Sequence, residues 1–143
     1  MKTYRKTVSE PWFTLIGLGI KTVEGRLCKG EFARMKQGDV VVWENGDLGF
    51  PREVRTRIVR VDRYDDFREY LTSEGLRACL PAFGVDSVDV GVDVYRRFYS
   101  VADEREHGVL AIRLASDTAR RTTSPTSAGG SGRARRSKVD RAR

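Results

Sequence analysis

The sequence predicts a small α+β domain built on a mixed, mainly antiparallel β-barrel flanked by short helices. Segments rich in β-branched and aromatic residues recur along residues 1–115, separated by Gly, Asn and Asp. Between some of these strands lie stretches with apolar residues at helical spacing. Predicted strands and helices do not alternate one by one. This order, β-α-β-β-β-α-α-β, is typical of α+β domains. A chain of 143 residues suffices for one such domain.

The first strand and helix are predicted over the N-terminal residues. Tyr4–Val8 is the first strand, and Ser9 can cap the following helix, which tolerates Pro11 in its first turn. One face of that helix carries Trp12, Leu15 and Ile16. Gly17 and Gly19 then end the helix, because glycine readily adopts the left-handed conformation of a C-terminal cap.

The second strand is unusually rich in charge. Residues 19–26 read Gly-Ile-Lys-Thr-Val-Glu-Gly-Arg. Strand alternation places Thr22, Glu24 and Arg26 on one face, and Lys21, Val23 and Gly25 on the other. Lys21 and Glu24 can therefore serve one cleft only if the strand is irregular or Lys21 lies in the turn before it. We expect one of these two arrangements.

The middle of the domain should contain two long strands. Val40–Glu44 is a continuous apolar run, which indicates a central strand buried on both faces. Asn45-Gly46-Asp47 begins a loop that should extend to about Arg52. The strand Val54–Val61 changes its alternation between Ile58 and Val59, which predicts a β-bulge.

Two helices and one strand complete the domain. Asp65 can cap a helix over residues 66–73, with Phe67, Tyr70 and Leu71 on its inner face. Ser87 can cap another over residues 88–99, with Val90, Val94 and Phe98 facing inward. An acidic loop over residues 103–106 precedes His107, a predicted surface residue, and Gly108–Ala115 forms the last strand.

From Ser116 the apolar pattern stops, so residues 116–143 are predicted to be a disordered basic tail. This segment holds eight of the 27 Lys and Arg residues and two of the 20 Asp and Glu residues. It therefore supplies +6 of the net charge of +7, and residues 1–115 are nearly neutral. Its basic run Arg133–Lys138 could attract phosphate, target a eukaryotic nucleus or merely aid solubility.

Composition predicts an intracellular, cytoplasmic protein without cofactor or metal. The sequence has neither an 18-residue apolar stretch nor an apolar signal-peptide region, so neither membrane insertion nor secretion is expected. Cys28, Cys79 and His107 are too few to form a four-ligand zinc site. We expect the two cysteines to be free thiols and the protein to be a monomer.

The charged octapeptide resembles the Gly-x-Lys-x-x-Glu-x-Arg signature of the ASCH domain, a small PUA-like β-barrel. The lead-in Glu10–Phe13 is similar to the segment that precedes this signature in the family. Four later segments also resemble ASCH blocks: Tyr64–Phe67, Leu80-Pro81, Tyr95–Tyr99 and Gly108–Ile112. The resemblance spans about residues 2–115, which implies an ASCH domain over residues 1–115.

This resemblance implies binding of RNA or a modified nucleoside in a cleft around Lys21, Glu24 and Arg26, with Thr22 and Trp12 nearby. Lys21 could hold an anion or act as a base, and Glu24 could accept base N–H groups or act as an acid/base. Arg26 offers a planar fork suited to phosphate or carboxylate. Trp12, Tyr95 and Tyr99 could stack on a base, whereas Phe13 is expected in the core.

Two other functions remain open. Some small ASCH proteins hydrolyse N4-acetylcytidine with a lysine, a threonine three residues later and a distal glutamate. This chain has Glu24 at the threonine position, and Glu69 and Glu74 are candidates for the distal residue. An amidohydrolase or ribonuclease using Lys21 and Glu24 is therefore one alternative. An adaptor that binds another protein is the other.

Overall fold

The computed structural model describes residues 1–117, so residues 118–143 of the predicted tail lie outside the described part. Five strands are present there: β1 (Thr3–Thr7), β2 (Val23–Leu27), β3 (Val40–Asn45), β4 (Arg52–Tyr64) and β5 (Val109–Ser116). The α-helices are α1 (Trp12–Gly17), α2 (Phe67–Glu74), α3 (Leu76–Cys79), α4 (Val88–Arg96) and α5 (Val101–His107), and Gly30–Arg34 is a 3₁₀ helix. Among these residues, no helix is long and apolar enough to cross a membrane.

The strands form one curled half-barrel sheet in the order β1-β3-β4-β5-β2. β1 is parallel to β3, and the other neighbouring pairs are antiparallel. The mixed, mainly antiparallel PUA-like sheet predicted from the sequence is thus confirmed. β1 and β2 are the two edges of the sheet and do not pair with each other. Side-chain contacts must therefore close the barrel across the gap between these two strands.

Two apolar clusters hold the sheet in this shape. The first lies inside the curl, where α1 contributes Phe13 and Ile16 beside the buried Trp43 of β3. The second lies between the outer face of β2 and β5 and the helices α2–α4, and it contains Phe67, Tyr70 and Val94. Trp12 packs against both clusters, so it stands where the inner and outer faces of the sheet meet.

β3 and β4 follow the sequence pattern closely. The four residues Val40–Trp43 are all at most 1% exposed, as expected for a central strand. The register of β4 against β5 shifts between Ile58 and Arg60, at the predicted bulge. β4 is longer than predicted at both ends. The last strand extends to Ser116, and the Asp117 carboxylate then pairs with Arg55 at 2.9 Å and Arg57 at 3.1 Å.

Two helix caps differ from the prediction. α1 has no side-chain cap from Ser9; instead the Glu10 carboxylate accepts the Thr14 N–H at 3.0 Å and its hydroxyl at 2.7 Å. α2 is capped by Asp66 rather than Asp65, because it is the Asp66 side chain that accepts the Glu69 N–H. Ser87 caps α4 as predicted, with the Val90 N–H at 3.2 Å.

The C-terminal helices also correct the sequence interpretation. α4 ends at Arg96, so Phe98 does not face inward and is instead 58% exposed. The predicted acidic loop is helix α5, which Ser100 caps by accepting the Asp103 N–H at 3.0 Å. α3 and the 3₁₀ helix were not predicted. Each is only four or five residues long, too short to produce an apolar period.

Candidate functional site

A pocket of about 220 Å³ opens in the gap between the edge strands β1 and β2. β1 and the residues after it form one wall, β2 forms the floor, and the end of α4 forms the opposite wall. Its lining residues are Thr7, Val8, Ser9, Trp12, Lys21, Glu24, Gly25, Arg26, Leu80, Val94, Tyr95, Phe98 and Tyr99. The pocket thus combines buried charged side chains with a largely aromatic wall.

Lys21 lies just before β2, which begins at Val23. This is the second of the two arrangements expected from the sequence. The end of α1 fixes the turn, because the Leu15 carbonyl accepts the N–H groups of both Ile20 and Lys21 at 3.0 Å. The Lys21 ammonium donates to the carbonyls of Val23, at 2.8 Å, and Cys79. It also lies 3.2 Å from Glu24 Oε1, so three acceptors surround it.

Glu24 lies between two cations. Its second oxygen, Oε2, accepts the Arg26 Nε–H at 2.8 Å, and its side chain is 8% exposed. Arg26 Nη2 donates in turn to the Thr7 carbonyl of β1 at 3.0 Å. Arg26 therefore joins the two edge strands, and Glu24 holds its guanidinium plane in position. Strand alternation predicted this shared face of Glu24 and Arg26 correctly.

The Glu24 carboxyl is ionised at neutral pH. Burial raises the pKa of Glu24, but the charges and hydrogen bonds of Lys21 and Arg26 outweigh burial and hold the pKa below its usual value. A carboxylate has about four acceptor positions. Lys21 and Arg26 occupy two of them, so Glu24 can still accept N–H groups from a ligand.

Arg26 also keeps donor capacity. Within residues 1–117, no hydrogen bond involves Arg26 Nη1, and the side chain is 18% exposed. The guanidinium stacks near the Phe32 ring, with its carbon 4.9 Å from the ring centroid. The floor of the pocket therefore presents an acceptor, Glu24, beside a donor, Arg26.

The aromatic wall is fixed by ring packing. Phe67 of α2 stacks on Tyr95, with centroids 4.4 Å apart, and on Tyr99, with centroids 5.4 Å apart. The Tyr95 hydroxyl lies 2.9 Å from the Tyr70 hydroxyl. Burial raises the pKa of Tyr95 and of Tyr99, so both phenols stay neutral. On the other side, the Trp12 ring centroid lies 5.5 Å from Lys21 Nζ.

Gly25 makes this arrangement sterically feasible. A Cβ atom at residue 25 would lie 2.7 Å from the Tyr70 ring. Tyr70 is fully buried and holds the Tyr95 hydroxyl, so it has little room to move. Gly25, the second glycine of the charged octapeptide, is thus required by a close approach between β2 and α2.

The sequence model of the ASCH domain family matches residues 7–116, most of the chain and the whole pocket. The chain belongs to the ASCH family. The resemblance to the ASCH family, predicted from the octapeptide and the later sequence blocks, is therefore confirmed. Domains of this family are generally similar to RNA-binding domains.

Two solved structures are similar to this ASCH domain. The crystal structure of a hypothetical protein, PH0355, is 34% identical, covers 81% of this chain and 99% of its own, and superposes with a TM-score of 0.71. The solution NMR structure of protein PF0455 from Pyrococcus furiosus is 36% identical, covers 80% of this chain and 97% of its own, and has a TM-score of 0.64. No curated protein matches the chain significantly.

The other residues named from the sequence occupy varied places in this ASCH domain. Thr22 is outside the pocket lining, where its backbone bonds Ala78 and Leu114. Phe13 is buried in the inner cluster, as predicted. Glu69 and Glu74 do not line the pocket; the Glu74 carboxylate pairs with arginines of β4 and β5 instead.

Sequence reasoning missed several lining residues. The curl of the sheet brings β1 next to β2, and this adds Thr7, Val8 and Ser9 to the lining. No local sequence pattern reveals that approach. The apolar spacing of α4 predicts that Phe98 faces the core, because Phe98 continues the series Val90 and Val94. The adjacent Arg96-Arg97 pair, which favours an exposed helix end, was the available signal.

One cluster of titratable side chains outside the pocket has ligand atoms close enough together to hold a metal ion. Asp103, Glu106 and His107 of α5 place ligand atoms within 4.8 Å of one another. Asp103 and Glu106 are exposed, and none of the three residues lines the pocket. Nothing further there indicates a ligand.

Proposed function

We propose that this ASCH domain binds RNA by taking one base, normal or modified, into the pocket between β1 and β2. The observation that carries the proposal is the buried Glu24–Arg26 pair beneath an aromatic wall. Glu24 offers a charged acceptor for base N–H groups, and Arg26 Nη1 offers a donor for a base carbonyl or ring nitrogen. Because every base carries both kinds of group, a paired acceptor and donor suit a base edge.

The size of the pocket supports a single base. Its volume of about 220 Å³ lies below the roughly 300–1,000 Å³ of pockets for drug-sized ligands. Trp12 and Tyr99 both line the pocket, so a planar ring that enters it meets aromatic side chains. Stacking on such rings contributes about 1–3 kcal/mol per base.

The geometry supports binding more than catalysis. All three N–H groups of Lys21 face protein acceptors, so none remains to act on a ligand. The pKa of Glu24 is lowered, so at neutral pH it holds no proton to donate as a general acid and is a weaker general base than an ordinary carboxylate. The threonine nearest to Lys21 in sequence, Thr22, is outside the pocket lining, and Thr7 lines the pocket from β1, on the other side of the gap.

Titration of the full-length protein with the four ribonucleosides tests the proposal. Nucleosides are uncharged, so the basic C-terminal segment gains no electrostatic attraction to them. We expect at least one nucleoside to bind, and Glu24→Gln and Tyr99→Leu to weaken it at least fivefold. The exposed Glu106→Gln serves as the control that leaves affinity unchanged.

Other outcomes would favour the alternatives. Turnover of N4-acetylcytidine by the wild type, lost in Glu24→Gln, would replace binding by hydrolysis. Absence of any nucleoside or RNA affinity, together with a protein partner that survives nuclease treatment, would favour the adaptor.

A further inference from the structure

Phe98 stands at the mouth of the pocket. It belongs to the lining, yet 58% of its surface is exposed. The spacing of α4 would turn it inward with Val94, but the helix ends at Arg96 and a turn at residues 97–98 directs it outward. An apolar ring is thereby kept at the opening, where a bound base would leave the pocket for the rest of its strand.

The backbone around Phe98 is fixed without any ligand. The Tyr95 carbonyl accepts the N–H groups of Phe98 and Tyr99, each at 3.0 Å. Arg96 donates to the Tyr99 carbonyl at 3.4 Å and pairs with Glu104 at 3.2 Å. A surface ordered in advance loses little conformational entropy when it binds a ligand.

A cation accompanies the ring. Arg97 directly precedes Phe98 and is exposed. In the part of the chain that the structure describes, Arg97 forms no ion pair, whereas its neighbour Arg96 is paired with Glu104. An aromatic ring beside an uncompensated cation is the combination by which proteins bind single-stranded nucleic acid, with the ring stacking on a base and the cation facing phosphate.

We propose that Phe98 is a stacking platform for the nucleotide adjacent to the one whose base occupies the pocket. This inference rests on the proposed function and specifies it further. The ligand is single-stranded RNA of at least two nucleotides, not a free nucleoside, and Arg97 faces the phosphate that joins the two nucleotides. A free nucleoside would leave the Phe98 ring in water.

The test compares nucleosides with dinucleotides on the full-length protein. The probes are the ribonucleoside that binds most tightly and its homodinucleoside monophosphate. We expect the dinucleotide to bind the wild type more tightly. Phe98→Ala should weaken binding of the dinucleotide about 5- to 150-fold, the range that corresponds to stacking of about 1–3 kcal/mol. The same variant should change nucleoside affinity less than twofold.

Two further variants sharpen the comparison. Phe98→Trp keeps a stacking surface and should retain dinucleotide affinity. Phe83→Ala removes another exposed phenylalanine, one outside this pocket, and should change neither affinity.

Three results would refute the role of Phe98 as a stacking platform without refuting base binding in the pocket. They are equal wild-type affinity for both probes, an unchanged dinucleotide affinity in Phe98→Ala, and equal losses for both probes in that variant. Failure of the wild type to bind any nucleoside or dinucleotide would instead refute the proposed function itself.

Discussion

Glu24 organises the site because its buried carboxylate pairs with two cations, one before it and one after it in the same octapeptide. Lys21 comes from the turn after α1, and Arg26 extends to β1 through the Thr7 carbonyl. A buried carboxylate is costly unless its partners are well placed, and here each oxygen has one. The same contacts therefore close the barrel gap and leave an acceptor facing the pocket.

This arrangement predicts how stability depends on pH. A carboxyl group whose pKa is lower in the folded than in the unfolded state stabilises the fold above the unfolded pKa, about 4.3 for Glu. That stabilisation is lost as the pH falls through the lower folded pKa. Since the pKa of Glu24 is lowered, the unfolding free energy of the wild type should decrease below about pH 5.

Denaturant unfolding between pH 7 and pH 3 provides the measurement. Glu24→Gln should be less stable than the wild type by about 3–5 kcal/mol at pH 7, since one partner of a buried pair is lost. The difference should shrink toward pH 3. The exposed Glu106→Gln should follow the wild-type curve. A constant difference between Glu24→Gln and the wild type at all pH values would contradict this account.

Residue-level prediction succeeded where the strand period decides and failed where distant chain segments meet. Alternation placed Glu24 and Arg26 on one face, as observed. The Cys79 carbonyl that holds Lys21 lies 58 residues away in sequence, and no local pattern could reveal it. Alternation also predicts Thr22 on that face, but β2 begins only at Val23, and Thr22 is outside the pocket lining.

At the scale of elements, α2 supports the pocket indirectly. It carries Phe67, on which Tyr95 and Tyr99 stack, and Tyr70, whose hydroxyl contacts that of Tyr95. Its first turn is held from two sides, because Asp66 accepts the Glu69 N–H at 2.8 Å and Glu104 of α5 accepts the Phe67 N–H at 2.7 Å. Stability of this helix start should therefore matter for the aromatic wall.

The corrected cap makes a sharp prediction between neighbouring aspartates. Asp66→Ala should reduce the unfolding free energy by about 0.5–2 kcal/mol, the usual cost of losing an N-cap side chain. Asp65→Ala removes an adjacent carboxylate that does not cap the helix and should change stability by less than about 0.5 kcal/mol. Denaturant unfolding at pH 7 measures both. Equal losses would mean that the two aspartates share the cap.

Helices and strands could be predicted from the sequence where an apolar pattern accompanies them, and not where polar contacts hold them. The bulge in β4 shows in the sequence because it shifts an apolar alternation. The start of α2 was misplaced by one residue because Asp65 and Asp66 are equally good caps in isolation. α5 was missed because its one buried side chain is Glu104, which is held by Arg96 and not by an apolar stripe.

For the whole molecule, the net positive charge and the candidate pocket lie in different parts of the chain. Residues 1–115 are nearly neutral, and the pocket lies within them. The C-terminal segment is strongly basic, and its run Arg133–Lys138 is the densest part. We propose that the pocket selects the base and that this segment adds affinity for any RNA backbone.

Salt dependence distinguishes these two contributions. Replacing Arg133, Arg135, Arg136 and Lys138 by Gln in the full-length chain should weaken RNA binding at low salt. It should also flatten the plot of log affinity against log salt, by up to about 0.7 for each phosphate that the variant no longer neutralises. Nucleoside affinity should not change. An unaltered slope would show that these four charges do not contact RNA.

The most direct test of the central claim is photo-crosslinking of the full-length protein to a single-stranded RNA that contains 4-thiouridine, with the attached peptides mapped by mass spectrometry. We predict crosslinks at the aromatic wall, on Trp12, Tyr95, Phe98 or Tyr99, and their loss in Glu24→Gln. Crosslinks confined to the segment after Asp117, and unchanged in Glu24→Gln, would contradict the proposal that the pocket binds RNA.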